Sequence, residues 1–119
     1  MKPIVEVAMD CTNADRLGAF WAAALGYVAA EAEPGVAYLN DPDGRGPFVC
    51  LLEVPEPKTV KNRMHFDLVV SGEGGDEEKW QRVLAEVSRL EALGATVRGT
   101  HPPHYVGMSD PEGNEFDVT

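Results

Sequence analysis

The 119-residue sequence predicts an α+β fold made of two copies of one strand–helix–strand–strand–strand module. Two observations predict it. First, landmarks recur in the same order: Leu25-Gly26-Tyr27 returns as Leu93-Gly94-Ala95, 68 residues on, and Asp41-Pro42-Asp43-Gly44 returns as Asp110-Pro111-Glu112-Gly113, 69 residues on. A recurrence at a nearly fixed offset marks a duplicated supersecondary unit. Second, two stretches of helical periodicity are each stopped by glycine, preceded by one strand-like run and followed by three. Two copies are too few to stack as a solenoid, which needs about three. The halves, about 1–57 and 58–119, are therefore expected to pack side by side in one domain, each giving a wall of a shared ligand cleft.

The elements follow in order. Ile4 to Cys11 is strand-like, with Glu6, Ala8 and Asp10 on one face and Val5, Val7 and Met9 on the other. Thr12 or Asn13 can cap a helix over Ala14 to Leu25, whose apolar stripe is Leu17, Phe20, Trp21, Ala24 and Leu25. Gly26 suits the left-handed conformation that ends a helix. Strands are predicted over Tyr27 to Ala32, Val36 to Leu39 and Phe48 to Val54, the last two joined by the Asp-Pro-Asp-Gly turn. Pro55-Glu56-Pro57-Lys58 is a stiff connector. The second half opens with a strand over Arg63 to Val70, with His65 and Asp67 on one face, and a glycine-rich loop over Ser71 to Gly75. A helix over Asp76 to Leu93 carries Trp80, Val83, Leu84, Val87, Leu90 and Leu93 at helical spacing, and Gly94 stops it. Strands close the chain at Thr96 to Gly99, Tyr105 to Ser109 and Glu115 to Val118.

Composition narrows the function. Ten Lys and Arg against 20 Asp and Glu give a net charge of −10, so no basic stripe exists to neutralise phosphates. Nucleic acid and anionic membrane surfaces are disfavoured as partners. The acidity serves solubility and mildly favours cationic ligands. Cys11 and Cys50, lacking Cys-x-x-Cys spacing, make neither a disulfide framework nor a structural zinc site, and are expected as buried thiols. The N-terminal residues carry no signal-like apolar region and no run reaches membrane-spanning length, so a cytoplasmic protein is expected. No phosphate-cradling glycine loop, serine nucleophile elbow or Cys–His dyad is present.

Several segments together resemble glyoxalase-like domains: Asp10-Cys11, Arg16-Leu17 with Phe20-Trp21, Leu25-Gly26-Tyr27, Val54 to Lys58, Lys61 to Leu68, and Asp110 to Phe116. Such domains belong to the vicinal oxygen chelate superfamily, with bleomycin-resistance proteins, fosfomycin-resistance enzymes and extradiol dioxygenases. The motifs span almost the whole chain. The resemblance implies paired βαβββ modules curling into incomplete barrels around a cleft, and pairing of chains as homodimers. It does not imply one reaction, because fold does not fix function.

Metal-dependent members place ligands on the first and last strands of each module. By that resemblance His65 takes the first-strand position of module two and Asp117 its last-strand position. An ungapped count back from Phe20-Trp21 puts Glu6 at the first-strand position of module one, and a slip of two puts Ala8 there. If Phe48 matches Phe116, the equivalent of Asp117 is Val49, which cannot bind metal. Glu53, on the same strand face, lies four residues on, roughly 13 Å along an extended strand. A set of Glu6, His65 and Asp117 suits one divalent ion such as Mn²⁺, Fe²⁺, Ni²⁺ or Zn²⁺. Such an ion polarises a carbonyl or chelates vicinal oxygens and stabilises enediolate-like charge. The competing reading is a metal-free polar cleft in which His65 hydrogen-bonds a carboxylate.

Asp10 and Asp67, on the faces of Glu6 and His65, are expected to support the ligands or face a cation. Trp21 is a candidate ligand contact as well as helix packing, while His104 and Tyr105, beside His101 and Pro102-Pro103, are candidates for a cleft entrance. The expected function is thus binding of a small oxygenated metabolite, with metal-dependent lyase or isomerase chemistry. The alternative is a non-catalytic, ligand-sequestering protein of the bleomycin-resistance kind.

Overall fold

Both helices begin and end at their capping residues. In α1 (Ala14–Leu25) the Asn13 side chain accepts a hydrogen bond from the Arg16 amide at 3.0 Å, satisfying one of the amides that a helix start leaves without a partner. Gly26 closes it at φ 70°. Helix α2 (Asp76–Leu93) has no side-chain cap at Gly75, but Asp76, Glu77 and Glu78 sit in its first turn, where negative charge meets the positive end of the helix dipole. Gly94 ends it at φ 118°.

A computed structural model describes residues 1–119, which divide into two compact units, Met1–Lys58 and Thr59–Thr119. The first contains β1 (Val7–Cys11), α1, β2 (Val28–Ala30), β3 (Val36–Asn40) and β4 (Val49–Glu53). The second contains β5 (Asp67–Leu68), α2, β6 (Thr96–His101), β7 (Tyr105–Ser109) and β8 (Glu115–Val118). Each unit is therefore a βαβββ module. The sheets have matching orders, β1-β4-β3-β2 and β5-β8-β7-β6, with the first strand parallel to the last and the other pairs antiparallel. Neither sheet closes: β1 and β2 stay at the edges of one, β5 and β6 at the edges of the other.

Each helix covers one face of its own sheet. Beneath α1, Leu17, Phe20, Trp21 and Ala24 meet Leu39, Val49 and Leu51, all buried. Beneath α2, Val83, Val87 and Leu90 lie buried, as do Val106, Met108, Phe116 and Val118 of their sheet. Burying a Leu, Val or Phe side chain fully stabilises by about 1.5–3 kcal/mol, so these stripes hold each helix to its sheet. The helical stripes are narrower than the periodicity predicts. Leu25, Trp80 and Leu84 are half-buried, and Leu93 is exposed at the helix end.

Strand limits differ from the sequence expectation where the partner strand runs out. Strand β1 starts at Val7, not Ile4, because its parallel partner starts at Val49, and Ile4 and Val5 stay exposed. Strand β5 is only Asp67–Leu68 instead of Arg63 to Val70, since only Asp117 and Val118 face it. Strand β6 extends two residues past Gly99, to His101, which pairs with Tyr105.

The recurring Asp-Pro turn is built the same way twice. The Asp41 carboxylate accepts from the amides of Asp43, Arg45 and Gly46 at 2.9, 3.0 and 2.7 Å. Asp110 accepts from the Glu112 and Asn114 amides, both at 2.9 Å, and from Asn114 Nδ2 at 2.8 Å. Counted from the aspartate to the residue that pairs back two positions before it, Val49 on Leu39 and Phe116 on Met108, the first copy is two residues longer. At Gly46 a Cβ would lie 1.9 Å from the Tyr27 hydroxyl, so a larger residue there must displace that side chain.

Candidate metal centre on the second sheet

Helix α2 covers the face of its sheet that carries Phe116 and Val118, so strand alternation turns Glu115 and Asp117 to the other face. The parallel register sets Asp67 opposite Asp117. His65, two residues before Asp67, comes to the same place. Its Nε2 stands 3.1 Å from Asp67 Oδ1 and 3.4 Å from Asp117 Oδ2. One ligand atom from each of the three lies within 4.8 Å of the others. The side chains remain accessible, at 42% exposure for His65, 56% for Asp67 and 29% for Asp117, so an incoming ligand can reach them.

The donor set fits a divalent ion. One imidazole nitrogen and two carboxylates balance a 2+ charge and suit Mn²⁺, Fe²⁺, Ni²⁺ or Zn²⁺. Donors bound at about 2.1 Å and at right angles to one another stand about 3 Å apart, close to the two separations seen here.

Glycines line the sheet beside the cluster. Register runs a single row across four strands: Gly99 opposite Gly107, Gly107 opposite Asp117, and Asp117 opposite Asp67. A Cβ on Gly107 would stand 3.5 Å from Asp117 Oδ1. Two glycines thus leave open sheet surface next to the carboxylates. The His101 ring borders that surface, its Nε2 3.3 Å from where a Gly99 Cβ would stand, and stacks on Tyr105 with centroids 4.5 Å apart. His104 is exposed at the turn between β6 and β7. On the same sheet, the Glu115 carboxylate accepts from the Asn62 amide at 2.9 Å and pairs with Arg98 Nη1 at 3.5 Å, while Arg98 also donates to Ser109 Oγ at 3.3 Å.

The first unit carries a different version of the same positions. Val49 pairs with Leu39 as Phe116 pairs with Met108, each partner lying two residues before the turn aspartate. Val49, not Phe48, is therefore the equivalent of Phe116, and Cys50 is the equivalent of Asp117. The sequence alignment on the two phenylalanines is corrected by the two extra residues in the first turn. Since Ala8 pairs with Cys50 as Asp67 pairs with Asp117, Glu6 corresponds to His65. Asp10 follows on the same exposed face. Cys50 is half-buried rather than buried. Burial pushes its thiol pKa up, and the Glu33 and Glu6 carboxylates push it further. Glu33 also accepts a hydrogen bond from the Tyr38 hydroxyl at 3.2 Å, and the Tyr38 ring tilts against Phe48 at 5.6 Å.

Two candidates sit elsewhere in the first unit. Glu53 pairs with Cys11 and falls in step with Val49 and Leu51, so it belongs to the opposite side of the sheet from Cys50. Trp21 is 1% exposed and packs edge-on to Phe20, with centroids 5.1 Å apart, inside the core.

Sequence reasoning missed the depth of Asp67's involvement, the glycine row and Cys50. The His65-x-Asp67 spacing was a signal for the first. The others depend on cross-strand register, and only the matched distances from Leu39 and Met108 to their turns hint at it.

The fold and its cluster define a two-module α+β protein with a His–carboxylate site on an open sheet face. Residues 6–119 match the glyoxalase-like domain, and the chain belongs to that family. Its structure is similar to the fosfomycin resistance protein FosX from Mesorhizobium loti, with TM-score 0.74 and 10% identity over 99% of this chain and 90% of that one. It is similar to a possible glyoxalase from Bacillus cereus, with TM-score 0.69 and 16% identity over 100% and 99% of the two chains. It is also similar to a FosX mutant from Listeria monocytogenes, complexed with Mn(II) and 1S,2S-dihydroxypropylphosphonic acid, with TM-score 0.73 and 13% identity over 99% and 89%. At these identities the likeness is one of fold. No curated protein matches the chain.

Proposed function

We propose that this glyoxalase-like protein binds a small oxygenated metabolite on the open face of its second sheet and acts on it as a metal-dependent lyase or isomerase. The observation that carries this reading is the convergence of His65 and Asp117 with Asp67 on an accessible surface beside the Gly99–Gly107 floor. His65 and Asp117 would hold one divalent ion. When bound, such an ion acts as a Lewis acid on a carbonyl or a pair of vicinal oxygens. The protein residues orient the ligand: the glycine row admits it close to the carboxylates, and the stacked His101 and Tyr105 rings border it. A carboxylate not engaged by the ion is suited to carry a proton as general base. The likeness to the Mn(II) complex of FosX supports the choice of ion class. The reading includes a homodimer, supported by large apolar side chains left exposed on the single chain, among them Ile4, Met64 and Val69.

A second reading is favoured by one specific feature. His65 Nε2 already lies within hydrogen-bonding reach of Asp67 Oδ1, so the cluster is also complete without an ion, as in a ligand-sequestering binder. Elemental analysis of untagged protein, after incubation with Mn²⁺, Ni²⁺ and Zn²⁺, separates the two. The enzyme reading expects near-stoichiometric metal that is lost in His65→Ala and in Asp117→Ala. No metal under any of these conditions overturns it and leaves the binder.

A further inference from the structure

We infer that Asp67 is itself a metal ligand, so that the second unit alone supplies a three-donor set and Glu6 is dispensable for holding the ion. This rests on the metal reading above. The resemblance to metal-dependent relatives instead spreads the ligands over both modules. Three observations carry the inference. Asp67 Oδ1 is nearer to His65 Nε2, at 3.1 Å, than Asp117 Oδ2 is, at 3.4 Å. Both carboxylates approach the same ring nitrogen. A carboxylate that only orients a ligating histidine accepts a proton from the other ring nitrogen, the one that does not bind metal; with Nε2 on the ion, Asp67 has no proton to accept there and its oxygen faces the ion. The register then fixes the pair, because parallel pairing of β5 with β8 sets Asp67 directly opposite Asp117.

The first unit offers no matching set. Ala8, which has no donor atom, stands at the position equivalent to Asp67, and Cys50 stands at that of Asp117. Glu6 is left as a single carboxylate without a fixed companion of its own. One histidine and two carboxylates would make up a three-donor set of the facial-triad kind.

The test is calorimetric titration of Mn²⁺ into the full chain and its Asp67→Asn, Glu6→Gln and Asp76→Asn variants, Asp76→Asn controlling for loss of one distant negative charge. Asp67→Asn is expected to weaken Mn²⁺ binding by at least about tenfold, with Glu6→Gln and Asp76→Asn close to wild type. Loss of an orienting residue also weakens binding, so a direct readout is added: Asp67→Cys loaded with Co²⁺ should show a thiolate-to-cobalt charge-transfer band absent from Co²⁺-loaded wild type. Absence of that band in cobalt-bound Asp67→Cys, or wild-type affinity in Asp67→Asn, overturns the inference and leaves the metal reading standing. A loss in Glu6→Gln as large as that in Asp67→Asn does the same. Failure of wild type to bind either ion overturns both.

Discussion

The two cysteines show how one residue type is set apart by its surroundings. Cys11 closes β1 in the core, while Cys50 sits half-buried on the open face between Tyr38 and Ala8. Burial, then Glu33, then Glu6 raise the Cys50 pKa. Only the thiolate reacts with an alkylating agent. The pH midpoint for iodoacetamide labelling of Cys50, followed by peptide mapping, is therefore expected above that of the same peptide unfolded. Glu33→Gln should move it down toward the unfolded value. A Cys50 midpoint at or below the unfolded one would contradict this account. His65 and Asp67 make the complementary point: their spacing, legible in the sequence, sets them on one side of an extended segment, but Asp117 joins them only through pairing with β8.

At the scale of elements, the duplicated Asp-Pro turns are small folding units in their own right. Hydrogen bonds from the Asp43 and Gly46 amides, then Arg45, hold the Asp41 carboxyl below its ordinary pKa of 3.8. A carboxyl whose folded pKa is depressed contributes stability that is present above the unfolded pKa and is lost as pH falls through the folded one. Asp41→Asn should accordingly lower Tm at pH 7, and its difference from wild type should shrink as pH falls below 3.8, followed by thermal melts across that range. A difference that stays constant down to acid pH would refute the charge's role. The buried counterpart behaves more severely. Asp110→Ala removes the acceptor of the buried Asn114 amide, a loss of about 1–3 kcal/mol for a buried group left unpaired.

At the scale of the whole molecule, duplication has been followed by divergence. The modules share strand order, helix placement, turn chemistry and glycine stops, yet their open faces differ: Glu6, Ala8 and Cys50 in one, His65, Asp67 and Asp117 in the other. Covered faces are constrained by packing, so they stay alike; open faces are free to specialise. The net charge of −10 makes any self-association sensitive to salt, because like-charged chains repel less when screened. The proposed homodimer is checked by sedimentation equilibrium at 0.15 M and higher salt, which should return twice the chain mass. A monomer at all salt concentrations would remove the dimer from the proposal.

The limits of both helices, Ala14–Leu25 and Asp76–Leu93, are as the sequence predicts. Apolar spacing, the Asn13 cap and the terminal glycines act within a turn or two of chain and can be read locally. The repeated strand–helix–strand–strand–strand order and the paired Asp-Pro turns are legible for the same reason. What lies across strands is not. The shortening of β5, the match of Cys50 rather than Val49 to Asp117, the placing of Glu53 on the other side of its sheet and the Gly99–Gly107–Asp117–Asp67 row all depend on register between segments far apart in sequence. A one-residue shift in register carries every side chain of a strand to the other face. The amino-acid order thus determined the modules and their helices, and tertiary pairing decided which side chains share an open face, because that choice is made by hydrogen bonds between strands and not by neighbours along the chain.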